Sequence, residues 1–243
     1  MGTFEFDGEK YKSTSKHQKE WGNDLISEFS FKGNEAVLDL GCGDGVLTEQ
    51  LALLVPQGKT LGIDASIQMI ETAEQICRSN LTFAHMDINK LNFENEFDLI
   101  FSNAALHWVK DHKQLLKNAY KALKAHGKLL WDFGGLGNCA TFIDIIQRKI
   151  LDEQYSKYFT DYEWPWFLPS KEQYTEFIST VGFSSCTIRY LNQDRHFSNA
   201  SDIVGWVDQP CLVPFIKYIP QKLKETFRQE VIEEMLKKTQ QPD

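Results

Sequence analysis

Short apolar runs alternate with amphipathic stretches through the first half of the chain. Ala36-Val37-Leu38-Asp39-Leu40 is a compact apolar run that stops at glycines, the pattern of a buried strand. Leu47, Leu51 and Val55 then recur at helical spacing. Thr60 to Asp64 reads as a second strand. Ser66 is a good N-cap, and Met69, Ile70, Ala73 and Cys77 fall on one face of the helix it opens. Leu81 to His85 and Phe97 to Phe101 give a third and a fourth strand. Asp111 caps a predicted helix carrying Leu115, Leu116, Ala119 and Leu123, with Gly127 as its stop, and Lys128 to Phe133 forms a fifth strand. This rhythm predicts an α/β fold, a doubly wound, mostly parallel Rossmann-like sheet covered by helices on both faces. Ligands of such sheets sit at the carboxyl ends of the strands.

The second half changes character. Residues 141–160 look helical, and Tyr162 to Pro169 is an aromatic stretch broken by prolines. Ser170 caps a predicted helix running to Val181. Phe183 to Leu191 reads as a sixth strand. From Asn199 the pattern is helical, interrupted at Pro210, Pro214 and Pro220, and Gln221 to Lys238 is a charged amphipathic helix. No repeat or linker appears. The later segments read as insertions on a single domain spanning 1–243. It has a cofactor-binding core at about 30–140 and helical lid segments at about 141–182 and 196–226.

Composition narrows the class. The 243 residues are 42% hydrophobic and 25% charged, a globular profile. Lys and Arg total 26 against 34 Asp and Glu, a net charge of −8. That balance argues against a nucleic-acid partner, which needs a basic footprint. No apolar run approaches the roughly 20 residues a bilayer span needs, and the charged start of the chain lacks a signal-peptide core, so no membrane association and a cytoplasmic location are expected. The cysteines (Cys42, Cys77, Cys139, Cys186 and Cys211) are odd in number and scattered, as reduced thiols are. No zinc-ligand spacing appears, so no metal is expected.

The sharpest chemical signal is Val37-Leu38-Asp39-Leu40-Gly41-Cys42-Gly43-Asp44-Gly45. Glycines at alternate positions after a strand let the chain turn tightly and let a ligand approach its backbone. The spacing is not that of a dinucleotide fingerprint, because Val46 occupies the place of its third glycine, and no Lys-Ser or Lys-Thr follows to make a P-loop. Asp39, two residues before the first glycine, would repel a pyrophosphate but attract a cation. Asp64 closes the second strand, where a carboxylate can accept two ribose hydroxyls. Asp87 follows the third strand, where it can accept from an exocyclic amine while Ile88 packs on the ring. Three acidic residues at successive strand ends beside a glycine loop surround a nucleoside that is cationic and free of phosphate. S-adenosylmethionine fits that description.

Residues 35–135 resemble a class I S-adenosylmethionine-dependent methyltransferase. The matching stretches are VLDLGCGDG, LGIDASIQMI, HMDI, FDLIFSNAALHWVKD and LLKNAYKALKAHGKLL. YKSTSKHQKEWGNDLI, SNAALHW and the late FSNASDIVGWVDQPCLVPFIKYIPQKLKETFRQE resemble the group that contains trans-aconitate methyltransferase and the malonyl-carrier-protein methyltransferase. The resemblance implies that Gly41, Cys42 and Gly43 pass the methionine part of the cofactor, and that Asp39 supports that loop or the amino group. Asp64 takes the ribose, with Ala65 and Met69 beside the adenosine. Asp87 and Ile88 take the adenine, Asn103 and Ala104 line the cofactor near the sulfonium, and Gln18 closes over it. S-adenosylhomocysteine is the implied product. Where the family has a Pro-Gly-Gly turn this chain has Ala125-His126-Gly127, and the turn is expected to survive on Gly127 alone. The family also ends on a seventh, antiparallel strand after its terminal helix. The chain stops at Asp243, so that strand is expected to be missing.

On the acceptor side, His107 and Trp108 follow the fourth strand. They read either as packed core residues or as a substrate wall, with His107 as hydrogen-bond donor or base. Arg195 reads as a surface group or as a clamp for a carboxylate. Trp164, Trp166 and Trp206 read as the roof of an acceptor pocket. The leading reading is O-methylation of a small organic acid by a monomer. Two alternatives stand beside it: a non-catalytic protein that binds S-adenosylmethionine, and a methyltransferase for a phenol, an amine or a carrier-bound acid.

Overall fold

A computed structural model describes residues 16–194 and 196–239, with the backbone alone at 16, 17, 209 and 210. These residues fall into two compact units. One comprises residues up to Leu136 together with Trp166–Leu191; the other comprises Gly137–Pro165 together with the residues from Asn192 onward.

The first unit runs α1 (Lys16–Ser27), β1 (Ala36–Leu40), α2 (Val46–Leu54), β2 (Lys59–Asp64), α3 (Ile67–Ala73), β3 (Leu81–His85), β4 (Phe97–Asn103), α4 (His112–Ala122) and β5 (Leu123–Asp132), and later α6 (Lys171–Ser179). The five strands form one parallel sheet in the order β3-β2-β1-β4-β5. All five residues of β1 are buried, as the continuous apolar run requires at the centre of a sheet covered on both faces. On one face Leu38, Leu40, Ile63 and Ile100 meet Leu106, Leu115 and Ala119. On the other, Val37, Leu99 and Phe101 meet Leu25 and Ile26 of α1 and Leu51 and Val55 beside α2. Each such side chain contributes about 1.5–3 kcal/mol by leaving water. Strand order reverses between β1 and β4, so the switch point lies beyond Leu40 and Asn103.

The expected caps form. Ser66 accepts from the Met69 amide at 3.4 Å, Asp111 from Gln114 at 2.9 Å and Ser170 from Gln173 at 3.2 Å. Three expectations are corrected. The helix after Ser66 ends at Ala73 and leaves Cys77 exposed, because Asn80 ties the following segment to the Ala52 and Val55 carbonyls at 2.8 and 2.9 Å. Residues 183–191 add no sixth strand. Apart from Phe183 and Ile188 that segment is exposed on both alternating faces, so pairing it would bury nothing.

The third correction concerns the turn at 125–127. The helix stops at Ala122 and β5 begins at Leu123, so Gly127 lies inside a strand. Pairing jumps from Phe97–Leu123 to Leu99–Lys128, which leaves a bulge on β5. The left-handed residue of that bulge is His126, at φ 66°, not Gly127. Gly127 is demanded by space instead, since a Cβ there would lie 2.9 Å from the Phe97 carbonyl oxygen. An exposed His in the left-handed region costs about 1–2 kcal/mol, partly offset by the extra freedom glycine has when unfolded. His126→Gly is therefore expected to raise stability by about 0.5–1 kcal/mol in urea unfolding. A loss of stability would show that the imidazole makes a compensating contact.

The second unit comprises α5 (Ala140–Leu151), α7 (Ala200–Trp206), a π-helical turn (Val207–Cys211), α8 (Val213–Ile216) and α9 (Gln221–Thr239). Phe142, Ile145 and Ile146 of α5 are buried, as are Phe227 and Val231 of α9. Lys149 joins these two helices by ion pairs to Glu230 at 2.9 Å and Glu234 at 3.2 Å. Among the described residues, no helix is long and apolar enough to cross a membrane.

Candidate active site

The loop after β1 is shaped by its glycines. Gly41 sits at φ 74°, and a Cβ on it would lie 2.3 Å from the Ala105 Cβ, so the loop and the chain after β4 touch directly. Gly45 sits at φ 80° and opens α2; a Cβ there would meet the Phe83 ring at 2.7 Å. A Cβ on Gly43, between them, would meet no atom within 4 Å. Two glycines are thus fixed by packing, and the middle one borders open space.

The acidic residues hold this loop in place. The Asp64 carboxylate accepts the Gly43 amide through Oδ2 and the Ser66 amide through Oδ1, both at 2.9 Å. Asp39 is buried, and its Oδ2 accepts from the Thr48 hydroxyl at 2.7 Å. Burial pushes its pKa up to about 7; the Thr48 bond opposes that rise and the nearby Asp64 charge adds to it. Asp87 caps the short turn Ile88–Lys90 through Oδ1, which takes both the Asn89 amide and its side chain. Ile88 of that turn and Met69 of α3 are both buried, and the Ala65 carbonyl accepts from His85 Nε2 at 3.0 Å. Cys42 is a buried thiol whose pKa is raised well above its usual value, mainly by burial.

Helix α1 lies over the same strand ends. Lys19 pairs with Asp44 of the glycine loop at 2.7 Å. The Asn103 amide donates to the Gln18 carbonyl at 2.8 Å. The side-chain oxygens of Gln18 and Asn103 are both buried and accept no hydrogen bond. Ala104, the next residue, is left-handed at φ 55°, and its amide donates to the Asp132 carbonyl. A strained non-glycine residue beside two unsatisfied acceptors marks a functional position.

Residues Leu106–Trp108 form one turn of tight helix after β4. The His107 Nδ1 is buried without a partner, and burial, with His112 nearby, pushes its pKa down to about 4. Trp108 meets Trp166 edge-on, with ring centres 5.7 Å apart, and the Phe167 amide donates to the His107 carbonyl at 2.8 Å. Trp108 and Trp166 thus belong to one wall. Trp164 and Trp206 lie in the second unit, where they pack on Phe215 and Phe197. Arg195 lies outside the described residues.

Several partners were missed by the sequence reading: Thr48, Lys19, Ser102 (whose hydroxyl donates to the Leu40 carbonyl at 2.7 Å) and the buried His112. Only His112 carried a readable signal. It is spaced three, four and seven residues from Leu115, Leu116 and Ala119, on the apolar face of α4, where an imidazole must find partners.

These residues fit a cationic nucleoside. Two orphaned acceptors, a loop with open space at Gly43 and three carboxylates at successive strand ends offer acceptors and negative charge, with no basic side chain in the glycine loop itself.

Comparison with known proteins agrees. A family model described as "Methyltransferase domain" matches residues 31–162. An uncharacterised methyltransferase of Schizosaccharomyces pombe is 30% identical over 193 residues, covering 76% of this chain and 72% of that protein. A trans-aconitate 2-methyltransferase of Deinococcus radiodurans is 44% identical over 93 residues, 38% of this chain and 35% of the relative. A malonyl-[acyl-carrier protein] O-methyltransferase of Priestia megaterium is 34% identical over 131 residues, 52% of this chain and 48% of the relative. The matches to these last two thus span half or less of the relatives' length. Among solved structures, phosphoethanolamine N-methyltransferase 2 of Haemonchus contortus in complex with S-adenosyl-L-methionine superimposes with a TM-score of 0.63. It is 21% identical and covers 94% of this chain and 52% of that one, a likeness of fold.

Proposed function

The chain belongs to the class I S-adenosylmethionine-dependent methyltransferases, and from that premise we propose that it methylates a carboxylate oxygen of a small organic acid. The observation that carries this reading is His107. An imidazole with a pKa of about 4 is neutral at pH 7 and a poor base. An acceptor that must lose a proton, such as a phenol or an ammonium group, would gain little from it. A carboxylate is already ionised, and needs placement and a dry site. Two relatives bear the names of acid acceptors, trans-aconitate and malonyl-[acyl-carrier protein], which supports the same class.

When bound, S-adenosylmethionine supplies a methyl group on a positively charged sulfur. In this reading Asp64, which closes β2 beside the glycine loop, takes the ribose hydroxyls. Asp87 Oδ2 receives the adenine amine, and Ile88 and Met69 supply the apolar bed. The Gln18 and Asn103 oxygens take donors from the methionine end and so lose their unsatisfied state. Neutral His107 hydrogen-bonds the acceptor, and Trp108 and Trp166 exclude water from it.

The test is release of S-adenosylhomocysteine over a panel of carboxylic acids, phenols and amines. Turnover is expected for acids, with a rate at saturating cofactor that is flat between about pH 6 and about pH 9. Turnover confined to phenols or amines, rising with pH, would contradict the proposal.

A further inference from the structure

We propose that His112 and Tyr174 are positioning residues for the acceptor wall, acting as a clamp that fixes the Leu106–Trp108 turn from behind. The proposal rests on the reading of that turn as the acceptor wall, and concerns residues to which neither the family match nor the relatives assign a role.

The hydrogen bonds define the clamp. His112 Nε2 lies 3.0 Å from the Leu106 carbonyl oxygen, and Nδ1 lies 3.1 Å from the Tyr174 hydroxyl. A carbonyl only accepts, so Nε2 carries the proton. Nδ1 then holds the lone pair, and the Tyr174 hydroxyl must donate to it. The direction of both bonds is therefore fixed by chemistry: Tyr174 Oη–H to His112 Nδ1, and His112 Nε2–H to the Leu106 oxygen. The imidazole is only 1% exposed and is gripped by the rings of Phe133 at 5.3 Å and Phe167 at 4.7 Å. Phe167 closes the loop, since its amide donates to the His107 carbonyl.

The turn is thus tied through two consecutive carbonyls. Leu106 is held by the imidazole of α4, and His107 by the backbone beside Trp166. Between these ties stands an imidazole whose own Nδ1 has no partner. An unsatisfied buried nitrogen gives its side chain every reason to rotate or flip toward a partner. Something else must hold the turn that carries it, and the clamp does so through the backbone carbonyls. The same ties fix Trp108, which follows directly. Rigid support behind a reacting group is what alignment demands, because a displacement of about 1 Å can cost on the order of 100-fold in rate.

The test uses the full chain labelled with 15N at histidine. Three variants separate the two bonds. Tyr174→Phe removes one oxygen and keeps the ring. His112→Gln places an amide nitrogen where Nε2 stood, so the bond to Leu106 can persist. His112→Asn is too short to reach it. In the wild type, His112 is expected in the Nε2–H form. Tyr174→Phe and His112→Asn should shift the ring resonances of His107 and lower kcat/KM for the acid acceptor by on the order of 10- to 100-fold, with S-adenosylhomocysteine affinity unchanged. His112→Gln should keep the His107 spectrum close to wild type. If all three variants only lower the melting temperature, leaving His107 and the acceptor kinetics unmoved, His112 is a packing residue and the proposal fails. It also fails if cofactor affinity falls in step with kcat/KM. Should no acid be turned over, the carboxylate reading falls, and the His107 spectrum alone then decides the clamp.

Discussion

Asp64→Ala is expected to weaken S-adenosylhomocysteine binding by on the order of 100-fold or more. The carboxylate does two jobs at once. In the free protein it accepts the Gly43 and Ser66 amides, both at 2.9 Å, and so joins the glycine loop to the start of α3. Charged hydrogen bonds of this kind contribute about 1.5–3 kcal/mol each, and their removal leaves loop amides unpaired. The ribose then loses its acceptor as well. Asp64→Asn should fall between the two, because it keeps one acceptor oxygen but turns an NH2 group toward a backbone N–H. Isothermal calorimetry reads the outcome directly. Affinity within a few-fold of wild type for Asp64→Ala would remove the ribose assignment.

The second large effect concerns Asp39 and pH. Its pKa is about 7 in the fold against an ordinary 3.8, so the folded state holds a proton that the unfolded chain has lost. The group's contribution to stability is complete below about pH 4 and is lost as pH rises to about 7. The accumulated cost reaches about 4 kcal/mol at most. His107 and His112 act in the opposite sense. Their folded pKa values lie near 4, below the ordinary 6.5, so their contribution is present above about pH 6.5 and is lost as pH falls toward 4. Stability is therefore expected to peak in mildly acidic solution. In Asp39→Asn the fall toward neutral pH should vanish while the loss on the acid side remains. The variant should be more stable than wild type at pH 8 and bind the cationic cofactor less well, since an ionised Asp39 is what attracts it. Urea unfolding across pH checks the first part. An unchanged slope between about pH 4 and about pH 7 would show that Asp39 is ionised in the fold throughout.

The contrast between these carboxylates and the rest of the site explains what could be read from sequence. Asp39 is the last polar residue within the first apolar run, Asp64 closes the second and Asp87 lies two residues past the third, so period and position alone place them near strand ends. Ser66, Asp111 and Ser170 were legible for the same reason, because a cap acts on amides two or three residues away. What failed depends on distant partners. The bulge at His126 follows from the pairing of β5 with β4 and has no local signature. Residues 183–191 have strand composition, but they gain no burial on either face, and composition cannot supply a neighbour. His107 drew notice because it follows a strand. His112 did not, although the bonds to Leu106 and Tyr174 make it the better-held of the two. Tyr174 is 62 residues away, a separation that no local pattern bridges.

The chain's place among methyltransferases is settled by its sequence family, and the central claim is the nature of the acceptor atom. The most direct measurement is to incubate the protein with S-adenosylmethionine carrying a 13C methyl group and a mixture of small organic acids, phenols and amines, and then to treat the products with mild alkali. An ester formed on a carboxylate is cleaved under those conditions and releases labelled methanol. The account predicts that the label enters an alkali-labile product. Label found only in alkali-stable ethers or N-methyl groups would contradict it.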